Sequence, residues 1–193
     1  MSNTSATGGY LGPASSSVPV EDDALEDFLQ GVVAAITGID GTLVRPRYQD
    51  NPPTLPGPDI TWAATGVMPD RRRDTFAVVD HDSTGDGADD LIRHEEIDLL
   101  CSFYGPGAGG AATELADGLQ IAQNREVLIA AGMDFVGSDG PRRVPEQIKG
   151  RWLQRQDLTV TIRREVRRQY PILNLLSVTG DLSTGTTDHP INA

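Results

Sequence analysis

The side chains best suited to chemistry gather at residues 80–87, Asp80-His-Asp82-Ser-Thr84-Gly85-Asp86-Gly87. Oxygens at alternate positions ahead of a glycine are what an EF-hand calcium loop requires, and such a loop closes with a bidentate Glu at position 12. Counting from Asp80 puts Leu91 at that position, and counting from Asp82 puts Arg93 there. Neither side chain can close the shell, and both flanks read as strand rather than helix. The expectation is a solvated hairpin tip. A calcium-dependent binding module built on residues 80–90, with Asp80–Asp86 as ion ligands, is the alternative from another functional class.

Other reactive types are scattered. The histidines are His81, His94 and His189, and none stands at zinc-ligand spacing. His94-Glu95-Glu96 reads as the polar side of a strand. A Ser-His-Asp triad would want a nucleophile elbow, and no GxSxG occurs. Cys101, the single cysteine, falls on the inward side of a strand, where a thiol acts as a small hydrophobe. GPGAGG at 105–110 precedes a helix as a phosphate loop does, yet it lacks both the Lys-Ser/Thr of a Walker motif and the dinucleotide spacing. A hinge is the better reading. Arg71-Arg72-Arg73 and Arg163-Arg164 with Arg167-Arg168 read as solvated strand ends, with pairing to an acidic neighbouring subunit as the second reading. No catalytic, cofactor-binding or metal-ligating residue is expected, and an enzyme is not expected.

Composition narrows the classes further. The chain has 193 residues, 38% hydrophobic and 23% charged, with a net charge of −12. That suits a packed core and argues against a general nucleic-acid binder, which needs cations to neutralise phosphates. The charge is lopsided. Residues 1–60 carry 8 acids against 2 Arg, residues 61–140 carry 15 against 5, and residues 141–193 carry 5 against 9 Arg and Lys. One cysteine permits no intrachain disulfide. No run approaches a membrane span, and the N-terminus lacks the basic and apolar regions of a secretory signal, so a soluble, non-secreted protein is expected.

The elements that would position these residues follow from periodicity. Residues 1–19, rich in Ser, Thr, Gly and Pro, read as a flexible N-terminal arm, and residues 181–193 as a flexible C-terminal tail. Between them, 20–180 read as a single α+β domain. Leu25, Phe28, Leu29, Val32, Val33 and Ile36 form one face of a helix over 21–37, stopped by Gly38. Residues 43–48 form an edge strand because of Pro46, 51–58 a Pro-rich loop, and 60–68 a strand anchored on Trp62. A long hairpin follows: a strand at 76–79, a turn at 80–89 and a strand at 91–104 with Ile97, Leu99, Cys101 and Phe103 facing inward. One helix with a bend at Gly118 spans 111–130. A turn-rich connection (135–141), a helical turn at 145–148, a long strand at 151–166 and a short strand at 172–178 complete the chain. In the long strand Trp152, Leu158, Val160, Ile162 and Val166 face one way. The fold class is α+β, a mainly antiparallel sheet with a long β-hairpin and two main helices packed on one face.

This order of pieces, with the run Pro145-Glu-Gln-Ile-Lys-Gly-Arg-Trp152-Leu-Gln-Arg155-Gln-Asp157-Leu-Thr-Val entering the long strand, resembles the phage neck terminator family, the tail-terminator or tail-completion proteins of long-tailed bacteriophages. The resemblance covers roughly residues 20–180, and its most specific part is Trp-x-x-Arg-x-Asp-Leu-x-Val. It implies a virion structural protein without catalysis or cofactor. The implied partners are its own copies in a homohexameric ring, the tail tube protein, the head-to-tail connector or stopper, the sheath where one is present, and genomic DNA only in transit through the bore. No membrane is involved. Another neck or tail-tube adaptor is the alternative within this class. On this reading the acids around 80–90 and Glu95, Glu96 and Asp98 are candidates to line a bore or interface.

Overall fold

The structure is a computed structural model, which describes residues 3–14, 20–48, 54–68, 72–73, 76–144, 146–148, 150–177, 179–183 and 188–192. Parts of the expected arm (15–19), the Pro-rich loop (51–53), the Arg cluster (Arg71), the expected helical turn (Pro145), the last expected strand (Val178) and the C-terminal tail (184–187) lie outside the described residues. The chain divides into two compact units. One comprises residues 19–76 and 93–166, the other residues 1–18, 77–92 and 167–193.

The larger unit is an α+β layer pair. Its first helix, α1, runs Asp22–Thr37, with Asp22 and Asp23 in the first turn, where the helix dipole favours anions. Gly38 ends it at φ 67, with its N–H bonded back to the Ala34 carbonyl. Leu25, Leu29, Val32 and Val33 are buried beneath it, as the spacing predicts. The sheet order is β1 (Val44–Pro46), β2 (Trp62–Val67), β5 (Ala88–Tyr104), β10 (Arg155–Tyr170) and β6 (Met133–Ser138). Short strands β3 (Arg72–Arg73) and β7 (Arg142–Arg143) add to β5 and β10. The edge position of β1 agrees with the expectation from Pro46, and it pairs with β2 in parallel. Strands β2 and β5 are antiparallel, Ala63 facing Phe103 and Thr65 facing Cys101. Inward residues Ile97, Leu99, Cys101 and Phe103 of β5 meet Leu158, Val160 and Ile162 of β10 in one core with α1 and the second helix.

Several expectations need correction. The helix expected over 111–130 is two, α2 (Ala108–Gly118) and α3 (Ala122–Ala130). The first ends at Gly118 with Leu119 as its C-cap, and position 118 holds a glycine because a Cβ there would lie 2.4 Å from Ile36 Cγ2 of α1. Among the described residues there are thus three α-helices, not two. In α3 Leu128 is buried and Ile129 is 56% exposed. Residues 135–138, read as part of a turn-rich connection, belong to strand β6 against β10, whose pairing skips Val136 between Gly137 and Phe135. The expected helical turn is instead β8 (Glu146–Ile148), which forms a hairpin with β9 (Arg151–Leu153) across Gly150 at φ 77. The long strand is interrupted at Gln154, so Trp152 leaves the inward set and stands 72% exposed.

In the smaller unit, β4 (Val78–Asp82) pairs with residues 88–92 of β5. The turn is therefore only 83–87, shorter than the 80–89 expected, because the backbone ladder continues through the acidic residues, with Asp80 facing Asp90 and His81 facing Asp89. Val78 and Val79 are exposed. Residues 172–177 form no strand, and Leu175 and Leu176 are exposed. In the arm, Ser5 N–H donates to the Pro171 carbonyl and Ala14 N–H to that of Gln169. Strands β11 (Thr179–Ser183) and β12 (Asp188–Asn192) pair antiparallel.

Candidate functional site

The run that carries the family resemblance splits between both faces of the sheet. Leu158 and Val160 point into the core and are 1% exposed. Arg155 and Asp157 alternate to the outer face, which is unusually well ordered for a wet surface. Arg155 makes a bidentate pair with Asp157, Nε to Oδ1 at 2.7 Å and Nη2 to Oδ2 at 2.8 Å, and its Nη1 donates to Glu146 Oε2 of β8 at 3.0 Å. A fork-to-fork pair of this kind fixes direction as well as contact. Ser102 Oγ of β5 donates to Asp157 Oδ1 at 2.6 Å, and Arg47 Nη2 donates to Ser102 Oγ. The Arg155 guanidinium lies 5.7 Å from the Tyr104 ring centroid, and Tyr104 stacks on Trp62 at 4.1 Å and 7°. Burial alone would raise the Asp157 pKa, but the hydrogen bonds from Arg155 and Ser102 outweigh it and hold the carboxyl below its ordinary range. The hydrogen bond to Asp157 raises Arg155. This is a platform of paired charges fixed by hydrogen bonds from three strands.

Beside it, Arg143, Val144, Trp152, Leu153, Gln154 and Arg155 line an open cleft of about 540 Å³. Trp152 projects at this cleft from the β8–β9 hairpin. An exposed indole next to a hydrogen-bonded charged rim is the arrangement of a protein-docking anchor rather than of a catalytic pocket.

A second polar assembly sits on the inner face. Arg164, 3% exposed, places Nε 2.7 Å from Glu95 Oε1 and Nη2 2.7 Å from Glu21 Oε1, and its Nη1 donates to the Val20 carbonyl at 2.5 Å. Arg93 donates to Glu95 Oε2 at 2.6 Å. Glu95 is 1% exposed, so it lines neither a bore nor a wet strand face, and that expectation is corrected. Its burial would raise its pKa, yet the bonds from Arg93 and Arg164 prevail and lower it. Arg164 likewise is no solvated strand end. Strand parity carried the signal: Glu95 shares the phase of Ile97 and Leu99, and Arg164 that of Ile162 and Val166. Three side-chain bonds, Ser102–Asp157, Asp98–Thr161 and Glu95–Arg164, advance along β5 as they retreat along β10, so these neighbouring strands run antiparallel.

The remaining candidates resolve without chemistry. Cys101 is fully buried, and desolvation pushes its thiol up to about 12. Gly105 is required because its φ is +94 and a Cβ would lie 2.4 Å from the Ile60 carbonyl oxygen; a close chain crossing, not a phosphate, explains GPGAGG. At the hairpin tip Asp82 Oδ1 accepts from Thr84 N–H and Oγ1, which lowers the Asp82 pKa. The Ser83, Gly85 and Asp86 carbonyls accept from Asn174. Of the oxygens that a calcium loop would offer, Asp82 Oδ1 and the Asp86 carbonyl are thus engaged by the protein itself. Among the described residues no group of three or more His, Cys, Asp or Glu is placed to hold a metal ion, and no helix is long and apolar enough to cross a membrane.

No curated protein matches this chain closely enough to count as a relative. A family profile does: it is described as phage neck terminator protein and aligns with residues 22–186, from the first residue of α1 to beyond β11. The matched span covers most of the chain, including the helical layer, the whole β1–β2–β5–β10–β6 sheet and the Trp152–Asp157 platform, and the chain belongs to the phage neck terminator protein family, a family of virion structural proteins.

Proposed function

We propose that this protein is the tail terminator at the neck, a homohexameric ring at the top of the tail that caps the tail tube and joins it to the head-to-tail connector. Genomic DNA passes through the bore, the sheath is a further neighbour where the tail has one, and the ring assembles in the host cytoplasm. Residues 20–180 are the ring-forming body, with 1–19 and 181–193 as extensions from it. It works by shape and association, and turns over no substrate.

The observation that carries this reading is the 72% exposure of Trp152. Within the most family-like run of the chain, the largest side chain is held out of the core while Leu158 and Val160 fill it. A tryptophan kept in water on a braced hairpin beside an open cleft is suited to become buried by a second copy. The net charge of −12 supports the DNA-transit part, since carboxylates facing a bore would repel phosphates and leave the genome free to slide. Sedimentation of the purified full chain tests the assembly. Wild type is expected to form a ring at high concentration, and Trp152→Glu to remain monomeric with an unchanged circular dichroism spectrum. A Trp152→Glu protein that assembles as wild type does would exclude Trp152 as the anchor.

A further inference from the structure

The smaller unit contains a titratable contact that the neck assignment does not use. His81 of β4 has Nδ1 2.5 Å from Asp89 Oδ1, its partner across the hairpin, and Nε2 2.8 Å from Asn174 Oδ1. The orientation of the Asn174 amide is fixed from its other end. Its Nδ2 lies 2.8 Å from the Ser83 carbonyl and 3.0 Å from the Gly85 carbonyl. Carbonyls only accept, so the amide nitrogen must face them and the amide oxygen must face the imidazole. His81 therefore has an acceptor against each ring nitrogen. A neutral imidazole carries one N–H and would set a lone pair against one of those oxygens; only the imidazolium donates to both. A shared proton belongs to the ring, because an ordinary carboxyl, near 3.9, is a far weaker base than an imidazole near 6.5.

We propose that doubly protonated His81 is a pH-operated latch, fastening residues 171–177 to the tip of the β4–β5 hairpin. The seat is closely fitted. Asn174 N–H donates to the Asp86 carbonyl at 2.7 Å, and Gly87, at φ +90, would set a Cβ 2.6 Å from Asn174 N and Oδ1. The N-terminal arm holds the same segment, since Leu173 N–H donates to Ser5 Oγ at 2.7 Å and Ser5 N–H to the Pro171 carbonyl at 3.0 Å. The fastened segment carries Leu175 and Leu176, 81% and 75% exposed.

The charged groups that act on the ring are acids, Asp89 from β5 and Asp82 from β4, while Asp80 and Asp90 face each other one ladder position away. Arg167 of β10 lies 3.7 Å from Asp90. The hydrogen bond to Asp89 leads in raising the His81 pKa, followed by the bond to Asn174, with desolvation opposing and the charges of Asp89 and Asp82 adding. A raised folded value means that the latch is fully formed below about pH 6.5 and is lost as pH rises through the folded value.

The test is an NMR titration of the histidine rings in the full chain, with His94 and His189 as comparators in the same sample and His81→Gln for assignment. The expected result is a His81 midpoint above about 6.5, moved down by Asn174→Ala and by Asp89→Asn. Hydrogen exchange supplies a second readout. After correction for intrinsic rates, the Asn174 amide is expected to be better protected at about pH 5.5 than at about pH 8.5, and His81→Gln, which can bond but cannot titrate, should abolish that difference. A His81 midpoint at or below about 6.5, or a pH difference in protection that survives in His81→Gln, would overturn the proposal.

Discussion

At the scale of single residues, the strongest constraint is the buried ion cluster of Glu95, Arg164, Glu21 and Arg93. It ties the start of α1 to two central strands, and it is bought at the desolvation cost of two nearly inaccessible charges. Removing Arg164 takes one of two cations from the buried Glu95 carboxylate, to which Arg93 still donates. Arg164→Met is expected to lower unfolding free energy by about 3–5 kcal/mol in urea denaturation, whereas Glu95→Leu combined with Arg164→Met should cost much less than the two single losses added together. Additive losses would mean that the pair is not coupled. The pH dependence has a definite sign. Glu95 and Asp157 have lowered pKa values, so their contribution to stability is present above the ordinary carboxylate values and is lost as pH falls through the folded ones. Glu95→Gln should therefore flatten the acid limb of the stability curve, measured by denaturation at a series of pH values.

At the scale of elements, the contact between α1 and α2 turns on Gly118. In an open helix Gly→Ala gains about 1 kcal/mol, but here the added Cβ meets Ile36 at 2.4 Å. Overpacking of this kind costs about 1–3 kcal/mol. Gly118→Ala is expected to destabilise, and Gly118→Ala with Ile36→Ala to recover part of the loss, as read by thermal melting. The same element shows what the sequence could and could not reveal. Apolar spacing located α1 because its buried stripe is continuous, and Pro46 placed β1 at an edge. The break between α2 and α3 was not legible, since the sequence there shows only one glycine, and the close contact that requires it comes from Ile36 of another helix. Met133–Ser138 was obscured by the register shift opposite it, and β8–β9 by its shortness. Trp152 was assigned inward by alternation alone, which holds only while the strand is unbroken; the interruption at Gln154 reverses it. Arg155 and Asp157 were visible as a motif, but their partners Ser102 and Glu146 come from distant strands and could not be inferred from spacing.

At the scale of the whole molecule, membership in the phage neck terminator protein family goes with a structure in which the Arg155–Asp157 and Glu95–Arg164 clusters brace the sheet and Cys101 is buried. What is left exposed and apolar, Trp152 above all, is suited to contact with other proteins. We propose that the protein stops tube growth and links tail to head. The most direct test is electron microscopy of particles assembled in cells infected by a phage lacking this one gene, with tail length measured particle by particle. The account predicts tubes of scattered and excessive length with no heads attached, and uniform, head-bearing tails once the gene is restored. Tails of normal, uniform length joined to filled heads in the absence of the protein would contradict it.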